Sequence, residues 1–228
     1  MKKFFTVFLF IFSICFSNEK VPYFNISNKW QIADPSSYGK LIKIGYIKKG
    51  FSKFNPSINL ASEKTNLSLD EYTQLAKKEH ETDIDTIYEV IEKIPINGGY
   101  ATISFIDKKI RNIELKLAQM IYLDNKDVYV ITAASEKGKF YGNYPEFLKI
   151  FRSFRLVNEI FDVIDDDNEK IILSKEVKHV ISDSKYISKK HLERNLTSFE
   201  KKLDKKYLNH GNYFKYLLLE KIAKDASI

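Results

Sequence analysis

The sequence predicts an α+β fold, in which an antiparallel sheet flanked by helices forms an αβα sandwich and a C-terminal helical hairpin follows. Three observations predict this fold. Between residues 87 and 134, apolar and polar residues alternate with the period of two that is typical of strands. Segments 69–81 and 145–154 carry apolar residues at helical spacing. Beyond residue 183, two further helical patterns flank a Gly-containing turn, which indicates a helical hairpin.

The first elements are short strands, predicted at residues 28–33, 41–47 and 57–62 between Pro, Gly and Ser residues. A helix follows over residues 69–81. Its start is marked by Ser68 and Glu71, which have the spacing of a capping box: the Ser side chain accepts a hydrogen bond from a free helix-start amide while the Glu side chain reaches back.

Residues 87–134 form the strand-rich block. The run Asn97-Gly98-Gly99 supplies the positive φ angles of a tight turn between strands 87–96 and 100–106. Residues 113–123 alternate strictly, which predicts a strand with one buried and one exposed face. The polar residues 124–127 form the turn into a strand at 128–134.

A second helix closes this region. Pro145 suits the first turn of a helix, where its missing N–H is not needed. Phe147, Ile150, Phe151 and Phe154 follow at i, i+3, i+4 and i+7, so we expect these four side chains to face the sheet.

The acidic stretch 165–168 marks a boundary. It divides the chain into a leader (1–17), an α+β domain (18–156), an acidic linker and connecting segment (157–182) and a helical tail (183–228). In the tail, an apolar stripe at helical spacing is formed by Leu192, Leu196, Phe199, Leu203 and Tyr207.

The N-terminus has the features of a secretory signal peptide. Lys2 and Lys3 precede a short apolar run at 4–16, and cleavage after Ser17 suits the small residues there. We therefore expect an exported protein that is periplasmic, envelope-associated or secreted. An acylated Cys15, as in a lipoprotein, is the alternative. If Cys15 leaves with the leader, the mature chain has no cysteine, which excludes disulfides, thiolate metal sites and a cysteine nucleophile.

Composition excludes several classes of protein. Of 228 residues, 44% are hydrophobic and 14% aromatic, which disfavours a disordered or fibrous chain. Thirty-seven Lys and Arg against 30 Asp and Glu give a net charge of +7. This mild excess, on an exported chain, disfavours nucleic acid as a partner.

No motif of catalysis or of cofactor binding is found in the sequence, so we expect no catalytic, cofactor or metal site. The four histidines are far apart, and His80 is expected on the exposed end of a helix. Asp165, Asp167 and Glu169 resemble the start of a calcium loop, but Lys170 stands where that loop requires Gly. A hydrolase whose site has no recognisable motif remains an alternative.

Basic residues surround the apolar stripe of the tail. Three interpretations are open: a solvated helix face, contact with an anionic membrane surface, or contact with a protein partner. The residues are Lys189, Lys190, Arg194, Lys201, Lys202, Lys205 and Lys206.

Taken in order, the motifs of residues 21–156 resemble the PsbP-like family, whose αβα fold is shared with the Ran-binding Mog proteins. No single motif is specific, and the resemblance rests on their order. The matching features are Trp30, the segment 54–60, the Leu-Asp-Glu-Tyr helix start at 69–72, the turn 97–101, Gln119, the strand 128–132, Tyr144-Pro145 and the ending Ser153-Phe154-Arg155.

The resemblance implies a non-catalytic protein-binding or adaptor module. It also implies a cell-envelope location, since exported bacterial members are often lipoproteins. It offers no catalytic residue to carry over, and it does not include the tail. A peripheral membrane-surface protein that uses the basic C-terminal helices is therefore the alternative to an adaptor with an unidentified protein partner.

Overall fold

The computed structural model describes residues 20–37, 39–50, 53–96, 98–110, 112–184 and 189–226. The predicted leader, with Cys15, lies outside the described residues. The strands are β1 (Val21–Tyr23), β2 (Trp30–Ile32), β3 (Ile42–Lys48), β4 (Ser57–Lys64), β5 (Ile87–Ile96), β6 (Gly99–Ile110), β7 (Ile113–Asp124), β8 (Asp127–Glu136) and β9 (Arg155–Val157). The helices are α1 (Leu69–His80), α2 (Phe140–Arg152), α3 (Asp167–Ser184), α4 (Lys189–Lys206) and α5 (Gly211–Ala226).

Seven strands form one antiparallel sheet in the order β2-β3-β4-β8-β7-β6-β5, and β1 pairs separately with β9. Helix α1 contacts β5, β6 and β7, while α2 contacts β7 and β8. An antiparallel sheet flanked by helices, with a C-terminal helical part, confirms the predicted fold class.

The local signals at element ends are confirmed. Ser68 Oγ accepts a hydrogen bond from the Glu71 amide at 3.3 Å, and Glu71 Oε2 accepts one from the Ser68 amide at 2.8 Å. Gly98 and Asn125 have φ angles of 93° and 54° in the predicted turns, while Asn97 lies outside the described residues. Positive φ is the reason that such turns use Gly and Asn.

Strand β7 is buried on both faces, so the prediction of one exposed face is wrong. Ala118, Met120 and Tyr122 are buried on the face that packs on the end of α2, where the Tyr122 and Phe154 rings lie 5.6 Å apart. Ile121 is fully buried on the opposite face. Because β7 lies near the centre of the sheet, α1 and α2 cover it from two sides.

Helix α2 begins earlier than predicted. It starts at Phe140, so Pro145 lies inside the helix rather than in its first turn. A proline there removes one intrahelical hydrogen bond. The additional turns are stabilised by burial of Phe140, whose ring lies 5.2 Å from Phe105 on the sheet and 6.2 Å from Phe147.

Residues 157–182 contain regular structure, and the expectation of an acidic linker there is corrected. A 3-10 turn spans Ile160–Val163, and α3 begins at Asp167. The acidic stretch forms the start of this helix, since Asp166 Oδ1 accepts a hydrogen bond from the Glu169 amide at 2.8 Å. Carboxylates stabilise helix N-termini, so the same residues that suggested a linker favour a helix.

The C-terminal helices belong to the main core. They share one continuous hydrophobic cluster with the sheet and α2. Leu173 and Val177 of α3 contribute, although no apolar spacing was recognised there. The other members from this region are Phe199, Leu203, Tyr207, Tyr213, Phe214, Leu218 and Ile222.

A turn between α4 and α5 fastens the helical part to the N-terminal segment. The Tyr23 hydroxyl donates to the His210 carbonyl at 2.7 Å, and Asn25 Nδ2 donates to the Asn209 carbonyl at 2.9 Å. The Asn212 amide donates to the Ile26 carbonyl at 2.8 Å. We call residues 209–212 the docking turn.

Phe151→Ala is expected to lower the free energy of unfolding by about 3–5 kcal/mol, because Phe151 is fully buried and the substitution leaves a cavity. Lys149→Ala, on the exposed side of the same helix, is the control and should change it little. Urea denaturation of both variants measures the difference, and equal midpoints would contradict the assigned buried face.

Gly211→Ala is expected to lower the free energy of unfolding by about 2 kcal/mol or more, because Gly211 has a φ of 79° and a ψ of 174°, a region essentially restricted to glycine. A Cβ there would also lie 2.5 Å from the Ile26 carbonyl oxygen. Gly142→Ala in α2 has no heavy atom within 4 Å of the added carbon and should be neutral or stabilising. Equal urea midpoints for the two variants would contradict the tight docking described here.

Candidate functional site

Helix α4 carries the basic residues that the sequence indicated. It contains seven Lys and Arg against three Asp and Glu. At 3.6 residues per turn, Lys190, Arg194, Lys201 and Lys205 fall along one line of the helix. Lys202 and Lys206 fall beside that line. The backbones of Lys189 and Lys190 belong to the first turn of α4, and their side chains lie outside the described residues.

The apolar stripe of α4 is buried inside the protein. Phe199, Leu203 and Tyr207 are each at most 5% exposed and belong to the core cluster. They pack in the region where α4 meets α3 and α5. The part of the membrane hypothesis that placed this stripe in a lipid interface is therefore wrong, since these side chains have no apolar surface to offer to lipid.

Two acidic side chains of α4 are held away from the basic line by Lys215 of α5. The Lys215 ammonium lies 2.9 Å from Asp204 Oδ1 and 3.2 Å from Glu200 Oε1. These hydrogen bonds and charges raise the pKa of Lys215 against the opposing effect of its burial. By helical geometry, both acids lie about 80–120° around the helix from Arg194. Acidic and basic groups thus occupy separate sides of α4.

The described basic side chains differ in what they contact. Lys202 pairs with Glu176 of α3 at 2.9 Å, and the Lys206 ammonium lies 5.2 Å from the centre of the Tyr207 ring. Arg194, Lys201 and Lys205 are exposed and make no ion pair with any residue that the structure describes. We call these three residues the α4 cation face.

Lys215 was missed in the sequence analysis. Glu200 and Asp204 are four residues apart on the side of α4 next to the apolar stripe, and this spacing is the only local sign that a cation would face them. The sequence does not indicate that the cation comes from α5, because the packing of the two helices determines it.

The described histidines contact rings or an acid. His80 is half-buried with its ring 5.6 Å from Tyr88, so the expectation of an exposed side chain is wrong. His210 in the docking turn is also half-buried, and its ring lies 5.1 Å from Phe214. His179 is exposed beside Asp183 at 3.3 Å. The side chain of His191 lies outside the described residues.

Two further kinds of site are absent from the described residues. Over these parts of the chain, no three His, Cys, Asp or Glu side chains group closely enough to hold a metal ion. Within the same ranges, no helix combines the length and apolar character needed to span a bilayer.

Comparison with known proteins gives structural likenesses alone. No protein-family model and no curated protein sequence matches the chain. LpqN of Mycobacterium tuberculosis, involved in cell envelope biogenesis, is similar in structure with a TM-score of 0.46 and 12% identity, over 61% of this chain and 84% of LpqN. Cyanobacterial PsbP from a Synechocystis species has a TM-score of 0.43 and 12% identity, over 61% of this chain and 93% of that protein.

A protein from Bacteroides thetaiotaomicron is similar over more of this chain, 89%, and over 73% of its own, with a TM-score of 0.40 and 10% identity. A PsbP structure is thus among the structural neighbours, as the sequence resemblance implies. These likenesses concern the arrangement of helices and strands, and no conclusion about activity or partners is taken from them.

Stability is expected to fall as the pH is lowered from 7.5 to 5.5, and His210 should contribute to the loss. Burial lowers the pKa of His210, with the nearby Arg155 guanidinium acting in the same direction and Glu169 and Asp165 opposing it. An unfolded histidine binds a proton near pH 6.5, so protonation in this range favours the unfolded chain.

The stability contributed by neutral His210 is therefore complete above about pH 6.5 and is lost as the pH falls toward the lower pKa of the folded protein. Urea midpoints between pH 7.5 and 5.5 measure the slope. In His210→Gln the slope should be shallower than in the parent chain, and an unchanged slope would contradict the assignment. His179→Gln, at an exposed site, is the matched control.

Proposed function

We propose that the protein is an exported, non-catalytic binding module of the cell envelope that recognises an acidic partner protein through the α4 cation face. The signal-peptide features of residues 1–17 support export. The surroundings of the described histidines support a binding role, because His80 and His210 lie against aromatic rings rather than beside a nucleophile.

The separation of charge on α4 is the observation that carries the proposal. Glu200 and Asp204 are paired with Lys215, so they do not neutralise the cations of their own helix. Arg194, Lys201 and Lys205 are left as a row that extends over about 16 Å, at 1.5 Å per residue. Rows of unpaired cations favour acidic surfaces, and complementary charge mainly increases the rate and specificity of association.

Peripheral binding to an anionic membrane is the second candidate, and the straightness of this row favours it. A helix that presents cations along one line can lie flat on a charged surface, where each Lys or Arg contributes about 1 kcal/mol. Because the apolar stripe of α4 is buried, such binding would be electrostatic, without insertion of Phe199 or Leu203. It would therefore weaken steeply with salt.

Capture of a partner from the native envelope is expected to require the α4 cation face. Lys201→Glu/Lys205→Glu should lose the partner that the parent chain retains in a pull-down, because it reverses two charges of the row. Lys40→Glu/Lys149→Glu makes the same change of charge at exposed positions of the sheet region and should retain it. Equal urea midpoints for all three chains would show that folding is preserved.

Flotation with vesicles distinguishes the two candidates. The adaptor proposal expects no co-flotation with phosphatidylglycerol vesicles at physiological salt. Salt-sensitive flotation of the parent chain that is lost in Lys201→Glu/Lys205→Glu would establish the membrane candidate instead. If the α4 variant behaves as the parent in both the pull-down and the flotation, the cation face is not the recognition surface, and both candidates fail.

A further inference from the structure

A cleft opens between α5 and the end of the sheet formed by β3, β4 and β8. Its volume is about 630 Å³, within the roughly 300–1,000 Å³ typical of small-molecule sites. The first described residues, 20–22, and residues 158–160 close one end of it. None of the α4 cations lines this cleft, so it is separate from the surface proposed above.

The interior of the cleft is aromatic and aliphatic. On the α5 side, Tyr213, Tyr216 and Leu217 follow at i, i+3 and i+4 and so share one face of the helix. The rings of Tyr213 and Tyr216 are stacked, with centroids 6.3 Å apart. Ile44 and Tyr129 form the wall on the sheet side. Such walls favour the apolar part of a ligand.

Most of the charged groups at the cleft are already engaged. Lys20 pairs with Asp124 at 2.8 Å, and Lys221 pairs with Asp225 at 2.8 Å. Asp127 pairs with Lys64 at 2.5 Å. The Glu159 carboxylate caps the 3-10 turn at Ile160–Val163, and the charge of Lys170 lies near it. These groups leave little net charge to attract a ligand.

Three charged side chains of the lining remain without an ion pair to the described residues: Lys43 on the sheet side, and Lys224 and Glu220 on α5. Glu220 lies one helical turn before Lys224, and its charge acts on Tyr213. Two cations on opposite walls and one carboxylate give a free charge of +1. A ligand with a single negative charge balances it, whereas a cation or a multiply charged anion does not.

The geometry points to a binding site for a small monoanionic amphiphile in this cleft. The apolar chain of the ligand lies against Tyr213, Tyr216 and Leu217, and its headgroup lies between the ammonium groups of Lys43 and Lys224. A carboxylate and a phosphate monoester share this headgroup chemistry, so dodecanoate and dodecyl phosphate are the probes that distinguish a fatty-acid-like from a phospholipid-like ligand. Preference for dodecanoate is expected, because near neutral pH it carries one charge and the phosphate monoester nearly two.

Calorimetric titration of the exported chain, at probe concentrations below micelle formation, tests the proposal. Dodecanoate should bind, while acetate should not, because it lacks the apolar chain. Dodecyltrimethylammonium and the uncharged dodecyl maltoside should bind more weakly than dodecanoate or not at all. Equal binding of the cationic or the neutral amphiphile would overturn the proposal, since the charge of the headgroup would then not be recognised. Tighter binding of dodecyl phosphate would overturn the single-charge assignment.

Lys43→Gln/Lys224→Gln should weaken dodecanoate binding by about four- to twentyfold, the combined effect expected for two exposed ion pairs. Lys40→Gln/Lys149→Gln removes the same charge elsewhere and should bind as the parent does. Unchanged binding by the Lys43/Lys224 variant, with folding preserved, would overturn the site. Lys201→Glu/Lys205→Glu should also bind dodecanoate normally. Loss of binding in that variant would place the anion on α4 and overturn the cleft, whatever the outcome for the partner protein.

Discussion

The docking turn is the constraint on which the position of the C-terminal helices depends. Hydrogen bonds join it to residues 23–30; besides the three already described, Asn212 Nδ2 donates to the Trp30 carbonyl at 2.8 Å. The carbonyls that accept from Asn25 and Asn212 would otherwise have to be satisfied by water or by other groups, since buried backbone groups need partners. Gly211 lies so close to the Ile26 backbone that the turn can approach only without a Cβ. The starting point of α5 is thereby fixed.

Fixing this turn also determines which sides of α4 are exposed. Helix α4 ends at Lys206, directly before the turn, and its stripe of Phe199, Leu203 and Tyr207 must then enter the core. The opposite side is left to solvent, and that side carries Arg194, Lys201 and Lys205. The acidic side meets Lys215 of α5. Charge separation on α4 is thus a consequence of packing, which the composition of the helix does not reveal.

Elements with local signals were predicted well from the sequence. The capping box of α1, the turns at Gly98 and Asn125, and the buried face of α2 each depend on residues within one or two turns of one another. The docking turn joins residues more than 180 positions apart, as in the bond from Tyr23 to His210, and no local spacing encodes it. The same limit explains the double burial of β7 and the entry of α3 into the core.

The acidic stretch at 165–168 shows a different limit, because one pattern suits two structures. A run of Asp and Asn favours a solvated linker and also the start of a helix, where carboxylates accept from free amides. The bond from the Glu169 amide to Asp166 decides for the helix. The later turns of such a helix must be apolar enough to be buried, and Leu173 and Val177 meet this requirement at a spacing of four. Two residues are too few to be recognised as a stripe in advance.

Helix α5 connects the two candidate sites without making them one. Tyr213, Tyr216 and Lys224 lie on the side that lines the cleft, whereas Lys215 lies about 160–200° around the helix from the centre of that side, next to the acids of α4. Substitutions at well-separated positions that share no partner usually have additive effects. A rigid helix with two used sides can therefore hold an anionic ligand on one and order a basic surface through the other, and each can change without altering the other.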